Sequence, residues 1–411
     1  MNTQERAYSN RLFYASCVAL IVTGMTASIR AGLVPAFEKE FGLDQVEVGL
    51  ILSAAFWGFP LASLFGGPLV DIFGMGRLLV MAFLGHLLAV VLTIFADGFT
   101  ALFIATLLAG IANGLVEAAC NPLVATIFNT EKTKMLNRFH MWFPAGLVIG
   151  GILSYLITQA GYGWEYQMGA IGVFTLVYGL LFFGKKFPVT ERVAAGVSTG
   201  SMYKECLRPL FLFLIFCMLL TASTEFATGQ WIESLLKNAG VTPIILLVFI
   251  NGIMMVGRLF AGPIVHRIAP SGILLASAIL AAIGLLWLSY ANGGEAYAAA
   301  GVFALGICFF WPTMLGFVSE NLPKTGAVGL SLMGGAGMFS LTLTLPVVGA
   351  IMQNAANAAG GADVGAITLR YLAVLPGILI VLFAGLMVYM RGRKAEHIAP
   401  PTTKATASAS Y

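Results

Sequence analysis

Twelve apolar stretches of about twenty residues each recur along the chain, and they constrain the fold more than any other feature. A helix of that length, rising about 1.5 Å per residue, crosses the roughly 30 Å hydrocarbon core of a bilayer. Because 59% of the residues are hydrophobic and only 10% are charged, a soluble domain and a nucleic-acid-binding protein are both excluded. The sequence predicts an all-α integral membrane protein with spans near 12–34, 48–70, 78–96, 100–127, 139–161, 167–184, 208–233, 242–266, 271–291, 296–319, 328–352 and 367–390.

The distribution of basic residues predicts the orientation of these spans. Seventeen Lys and Arg residues lie on the face that carries Met1, whereas three lie on the other face: Lys39, Lys237 and Arg370. Cytoplasmic loops of membrane proteins are enriched in Lys and Arg. We therefore expect a multi-pass protein of a bacterial-type inner (plasma) membrane, with both termini cytoplasmic. We expect it to be a monomer in the lipid bilayer.

An internal repeat indicates that the spans form two halves. The segment 67–77 after the second span aligns without gaps on the segment 262–272 after the eighth, at an offset of 195 residues. Such an offset predicts two pseudo-symmetric six-helix bundles. We assign residues 1–184 to the N-terminal bundle, 185–207 to a cytoplasmic linker, 208–390 to the C-terminal bundle and 391–411 to a disordered cytoplasmic tail.

The loop after the second span carries a family resemblance. Gly67, Asp71, Gly74 and Arg77 match the G-x-x-x-D-x-x-G-x-x-R loop of the major facilitator superfamily, so the whole chain resembles a transporter of that fold. The resemblance implies that Asp71 and Arg77 act in gating at the cytoplasmic face. We assign Arg258 to gating in the second half, where we expect it to form a cytoplasmic ion-pair system with Arg267 and Glu320.

Motifs in five further spans are similar to the fucose:proton symporter family, which includes related sugar transporters. They are Glu117–Asn121–Pro122, the segment 136–146 with Asn137 and His140, the segment 225–231, Gly257–Arg258, and the segment 310–313. One position departs from the family. Proton:fucose members carry an aspartate four residues before a proline in the first span, and here Ala31 stands at that distance from Pro35. A proton mechanism with two carboxylates therefore does not transfer unchanged.

Glu117 lies inside an apolar stretch, where a carboxylate costs about 2.5–3.5 kcal/mol on insertion scales. Such a residue is a functional-site hypothesis by default. Glu117 can carry a proton through the transport cycle, since burial favours a neutral carboxyl. Alternatively, it can stay ionised to pair with a cation or to accept hydrogen bonds from solute hydroxyls, or it can form a fixed salt bridge.

Arg30 is an isolated cation toward the outer half of the first span. The repeat offset carries Arg30 onto Glu225, and we favour an internal ion pair with a carboxylate such as Glu225. Binding of an anionic solute and snorkelling to the outer surface are the alternatives.

The remaining candidate residues are polar or aromatic side chains in or next to the spans. They offer hydrogen bonds and stacking surfaces of the kind that a sugar site uses. We expect His140 to bind solute, to relay a proton or to cap a helix end. Gln230 does not share a helical face closely with Glu225, because the two are five residues apart. The predicted solute- and ion-binding set is Arg30, Asn113, Glu117, Asn121, Asn137, His140, Glu225, Gln230, Trp231, Asn251 and Trp311.

These features predict a secondary active transporter that works by alternating access, with its site between the two halves. We expect a sugar or similar polar solute, coupled to H⁺ or Na⁺, and no cofactor. An organic anion or sugar acid bound by Arg30 is the alternative, and a drug exporter is a weaker one. No cluster with catalytic or metal-ligand spacing is found in the sequence, so we do not expect an enzyme.

Overall fold

The computed structural model describes residues 3–43, 45–190, 196, 198–236, 238–358 and 363–391 of the chain. These residues form helices and connecting turns. Eleven helical segments among them are long and apolar enough to cross a membrane, and the shorter apolar helix Ile245–Leu259 occupies the place of the predicted eighth span. The predicted all-helical membrane fold is confirmed.

The first half and the connection to the second contain eight helices. They are α1 (Thr3–Phe41), α2 (Gln45–Phe73), α3 (Met75–Ile94), α4 (Phe99–Ile127), α5 (Lys132–His140), α6 (Trp142–Gln159), α7 (Trp164–Phe182) and α8 (Thr199–Cys206).

The second half contains more and shorter helices, because several spans are interrupted. They are α9 (Pro209–Ala222), a π-helix (Ser223–Ala227), α10 (Thr228–Gln230), α11 (Ile232–Leu235), α12 (Pro243–Leu259), α13 (Ala261–Arg267), α14 (Pro270–Leu288), α15 (Gly294–Ile307), α16 (Phe310–Asn321), a 3₁₀ turn (Pro323–Thr325), α17 (Gly326–Ala358), α18 (Val364–Leu372) and α19 (Val374–Met390).

Four of the interruptions share one cause. Each break lies three residues before a proline. Proline has no backbone N–H to donate to the preceding turn of the helix, and its ring clashes with the backbone carbonyl of that turn. The pairs of break and proline are Met141 and Pro144, Phe260 and Pro263, Phe309 and Pro312, and Ala373 and Pro376. A proline does not always break its helix, however, because α4 continues through Pro122.

The two halves meet at the predicted cytoplasmic face. A Cβ added to Gly67 of α2 would lie 2.6 Å from the Cα of Val328 in α17, so the two backbones are in contact and only glycine fits. Nearby, Gly316 of α16 packs in the same way against Thr133 of α5. The first glycine of the family loop therefore serves the contact between the halves.

The ion-pair system expected at this face does not form. Glu320 instead accepts hydrogen bonds from the Thr133 amide at 2.9 Å and the Thr133 hydroxyl at 2.6 Å. Arg267 is exposed, and Arg258 lies buried between the helices, away from Glu320. The prediction failed because Arg258 instead donates hydrogen bonds inside the bundle, to the Glu225 carboxylate and to the carbonyls of Cys308 and His140.

Asp71 and Arg77 of the family loop lie at the predicted cytoplasmic end of α2 and the start of α3. Asp71 accepts a hydrogen bond from the Thr190 hydroxyl at 2.9 Å, which ties α2 to the chain that leaves the first half. Arg77 is exposed near the start of α3. Part of the predicted linker is the helix α8, while residues 191–195 and 197 and the tail from 392 to 411 lie outside the described residues.

Candidate solute and ion-coupling site

A polar stripe on α4 forms the centre of the candidate site. Asn113, Glu117 and Asn121 are four residues apart, which places them on one helical face, and all three are buried. The stripe runs from the middle of α4, at Asn113, toward the predicted cytoplasmic end. Three predicted site residues are thereby aligned along a single helix.

Glu117 faces the second half of the protein. Its Oε2 accepts a hydrogen bond from Asn121 Nδ2 at 3.2 Å. The indole of Trp311 lies beside the carboxylate, and its buried Nε1 has no hydrogen-bond partner among the described residues. Gly334 of α17 and Phe59 of α2 complete the surroundings, since a Cβ on Gly334 would lie 3.8 Å from Glu117 Oε2 and 3.9 Å from Phe59.

His140 is buried next to this stripe. Its Nε2 lies 2.9 Å from Asn121 Oδ1, so His140 donates to the asparagine that in turn donates to Glu117. Asn137, one turn earlier, donates to the Thr133 carbonyl at 2.9 Å, while its buried Oδ1 has no partner among the described residues. Neither side chain caps a helix end at the surface, so that alternative for His140 is wrong.

Arg258 joins three spans. Its Nε donates to the Cys308 carbonyl at 2.6 Å, at the break between α15 and α16. One terminal nitrogen donates to the His140 carbonyl at 3.1 Å, and the other donates to Glu225 Oε1 at 3.1 Å. Since His140 belongs to the first half, this guanidinium connects the two halves within the membrane.

Glu225 lies in the π-helix Ser223–Ala227, a widened turn of a kind that is frequent at functional sites. Its side chain is 4% exposed, and its second oxygen, Oε2, has no hydrogen-bond partner among the described residues. The next residue, Phe226, makes edge-to-face contacts with Trp311 and with Phe143 of the first half, at centroid distances of 5.8 and 6.2 Å. Glu225 therefore lies at the boundary between the halves.

Three other predicted site residues of the second half lie apart from Glu225. Gln230 is exposed. Trp231 packs its ring near Gly349, and its buried Nε1 lacks a partner among the described residues. Asn251 donates to the Leu247 carbonyl one turn earlier at 2.9 Å, as a packing residue does.

Arg30 is 6% exposed, and no side chain of the described residues forms an ion pair or hydrogen bond with it. The favoured prediction, an ion pair with Glu225, is wrong, because Glu225 is paired with Arg258. Snorkelling to the outer surface is also wrong, since the side chain is buried.

The surroundings of Arg30 in the first half are polar but neutral. Thr26, one turn earlier on α1, accepts a hydrogen bond from Asn113 Nδ2 at 3.1 Å. Asn113 Oδ1 lies 2.9 Å from His86 Nε2, and His86 Nδ1 lies 2.9 Å from the Tyr178 hydroxyl. With Asn113 Oδ1 as an acceptor, His86 carries its proton on Nε2 and accepts from Tyr178. Each group is satisfied within this network, so none of them neutralises Arg30.

The sequence did not identify Gly337 as part of the site. A Cβ at this position would lie 2.4 Å from the Trp311 ring, so the glycine makes room for the indole beside Glu117. The run of small residues Gly334–Gly335–Ala336–Gly337 does indicate a close helix contact at this place, because small side chains let helices approach each other. Phe226 and Cys308 were also not singled out for the contacts they make here.

Comparisons with known proteins agree with this architecture. The family model described as Major Facilitator Superfamily matches residues 16–344. A gallate transporter of Pseudomonas putida is 24% identical over 406 residues, which cover 84% of this chain and 89% of the relative. A 4-hydroxybenzoate transporter, PcaK, of the same organism is 28% identical over 179 residues, or 42% of this chain and 39% of the relative.

Solved structures show the same fold. The transporter FucP in its outward conformation superposes with a TM-score of 0.76 at 18% identity, covering 91% of this chain and 98% of FucP. At this identity the similarity concerns the fold alone.

Proposed function

Because the chain belongs to the Major Facilitator Superfamily, whose members here are membrane transporters and not enzymes, we propose that it carries a small organic acid by alternating access. The solute carboxylate binds Arg30. The site lies between the two halves, near the middle of the membrane, as in other transporters built from repeats.

The guanidinium of Arg30, which has no ion-pair or hydrogen-bond partner among the described residues, is the observation that carries this proposal. An arginine stays protonated in proteins, and a buried charge without a partner is strongly unfavourable. The protein has nevertheless kept this cation at 6% exposure beside a neutral hydrogen-bond network. A carboxylate that arrives with the solute would supply the missing charge, and the planar guanidinium can bind it through two parallel hydrogen bonds.

The relatives support the same solute class. Gallate and 4-hydroxybenzoate, named in two of the relatives, are both carboxylic acids. A neutral sugar, which the sequence resemblance to the fucose:proton symporter family favours, would leave Arg30 unneutralised. We therefore place the organic acid first and keep the sugar as the competing candidate that the experiment must address.

We further propose that the coupling ion is a proton carried by Glu117. Its carboxylate is buried, accepts a hydrogen bond from Asn121, and lies beside the indole of Trp311, whose N–H has no hydrogen-bond partner among the described residues. No fixed salt bridge holds it among the described residues, so Glu117 is free to change its charge when the site opens to either side.

Uptake into proteoliposomes tests the solute class. We expect radiolabelled 4-hydroxybenzoate or gallate to accumulate, and L-fucose not to accumulate. Arg30→Gln should lower the uptake rate at subsaturating solute by roughly 10- to 100-fold, the loss expected for charge-assisted hydrogen bonds. Arg30→Lys keeps the charge but loses the planar pair of donors, so we expect an intermediate loss.

Arg391→Gln is the matched control, because Arg391 is exposed after the end of α19. Its uptake should equal that of the wild type. Accumulation of L-fucose at a rate that Arg30→Gln leaves unchanged would refute the proposal and favour the sugar.

A further inference from the structure

Only one of the two carboxylate oxygens of Glu225 is hydrogen-bonded among the described residues. Oε1 accepts from Arg258 at 3.1 Å, whereas the buried Oε2 has no partner among the described residues. Arginine and carboxylate groups frequently bind each other through two parallel hydrogen bonds. Here the pair is joined by a single bond, and a strong acceptor is left open.

The reason for the single bond lies in the other contacts of Arg258. Its Nε is fixed on the Cys308 carbonyl and a terminal nitrogen on the His140 carbonyl. These two anchors prevent the guanidinium from turning its fork toward both carboxylate oxygens. Arg258 therefore acts as a positioning residue that holds Glu225 while Oε2 stays available.

The internal repeat connects Glu225 with Arg30. The repeat offset of 195 aligns Arg30 in span 1 with Glu225 in span 7, so the internal repeat predicts matching places for them in the opposite halves. Both residues are buried. Phe226, which follows Glu225, contacts aromatic rings of both halves and provides an apolar surface next to the carboxylate.

We infer that Glu225 Oε2 accepts a hydrogen bond from a hydroxyl group at the far end of the solute whose carboxylate binds Arg30. The solute class is then a hydroxylated carboxylic acid, with its hydrocarbon body against Trp311 and Phe226. This inference rests on the proposed function. An ionised carboxylate only accepts hydrogen bonds, so a solute without the hydroxyl leaves it unsatisfied in the closed site.

Two pairs of ligands that differ by one hydroxyl test the inference: benzoate with 4-hydroxybenzoate, and hexanoate with 6-hydroxyhexanoate. Equilibrium binding to the purified protein is measured by isothermal titration calorimetry. We expect the hydroxylated member of at least one pair to bind roughly 10- to 100-fold more tightly to the wild type.

In Glu225→Gln, the hydroxylated acid should bind no more than about threefold more tightly than its unhydroxylated partner, because a neutral amide gives a weaker hydrogen bond than a carboxylate. The affinity of the unhydroxylated acid should stay within about twofold of the wild-type value, since that acid has no hydroxyl for Glu225 to bind. A merely structural role of Glu225 would weaken both acids equally. Glu295→Gln is the control, since Glu295 is exposed and only accepts from the Trp287 indole. Arg258→Lys, which loses the fixed geometry, should also lower the ratio.

The outcomes separate the two proposals. If both acids of each pair bind equally to the wild type and Arg30→Gln abolishes their binding, the organic-acid function stands and the role of Glu225 is refuted. The role of Glu225 is also refuted if the hydroxylated acid binds more tightly than its partner by the same factor in Glu225→Gln as in the wild type. If none of the four acids binds, the proposed function fails and the inference falls with it. If Glu225→Gln does not fold, the double variant Arg258→Leu with Glu225→Leu, which removes both charges, replaces it. This double variant should likewise bind the hydroxylated and the unhydroxylated acid with similar affinity.

Discussion

Replacement of Arg258 by methionine should destabilise the protein strongly. The side chain is 2% exposed and makes three hydrogen bonds, to the Glu225 carboxylate and to the carbonyls of Cys308 and His140. Methionine fills a similar volume but donates none of them. The variant therefore keeps much of the packing and leaves a buried carboxylate and two buried carbonyls without these donors.

The expected cost follows from these contacts. Removal of one partner of a buried ion pair typically costs about 3–5 kcal/mol, most of it from the charge that stays behind. An unfolding entropy of about 2.1 cal/mol/K per residue, applied to the 411 residues, converts 1 kcal/mol into roughly 1 °C of melting temperature. Arg258→Met should therefore lower the melting temperature by about 3–6 °C.

The assay is thermal unfolding of the purified protein in detergent, followed by intrinsic tryptophan fluorescence. The double variant Arg258→Met with Glu225→Met removes both charges, so it should recover part of the loss, giving a coupling energy of about 0.5–3 kcal/mol. Arg391→Met, at an exposed position, should leave the melting temperature unchanged. A loss below about 1 °C for Arg258→Met, or a double variant whose loss equals the sum of the single losses, would refute the pairing.

Three further predictions concern the site and the contact between the halves. Glu117→Gln should abolish concentrative uptake but spare exchange of preloaded solute, because an amide cannot carry a proton; normal concentration by the variant would contradict this. Gly337→Ala should displace the Trp311 ring, lower the uptake rate and reduce the free energy of unfolding by about 1–3 kcal/mol through overpacking. Gly377→Ala should change neither quantity, because Gly377 has open space around it. Thr133→Val removes a hydroxyl donor to Glu320, so a spin-label distance across the predicted cytoplasmic face should lengthen; an unchanged distance would contradict this.

Much of the fold could be predicted because the bilayer imposes it. Spans need about twenty apolar residues, and their boundaries agree with the helices to within a few residues for most spans. The breaks at Phe260 and Ala373 were not predicted, although Pro263 and Pro376 were visible. A proline marks a span that can break, but packing decides whether it does, since α4 stays continuous through Pro122.

The site was predicted less completely, because side-chain partners depend on helix rotation. The sequence identified Arg30, Glu117 and Glu225 as ionisable groups within spans, and all three are buried. It paired Arg30 with Glu225 from the repeat offset, but equivalent positions in two halves need not touch. Arg258 belongs to a neighbouring span in the same half as Glu225, which lies in a π-helix and pairs with Arg258.

The central claim is that the unpaired cation Arg30 binds the carboxylate of the solute. Calorimetric binding of 4-hydroxybenzoate, gallate and L-fucose to the purified wild type and to Arg30→Gln tests this most directly. We predict binding of at least one of the two acids to the wild type, a loss of roughly 10- to 100-fold in Arg30→Gln, and no binding of L-fucose. Acid binding that is equally tight in Arg30→Gln, or L-fucose binding with no acid binding at all, would contradict the account.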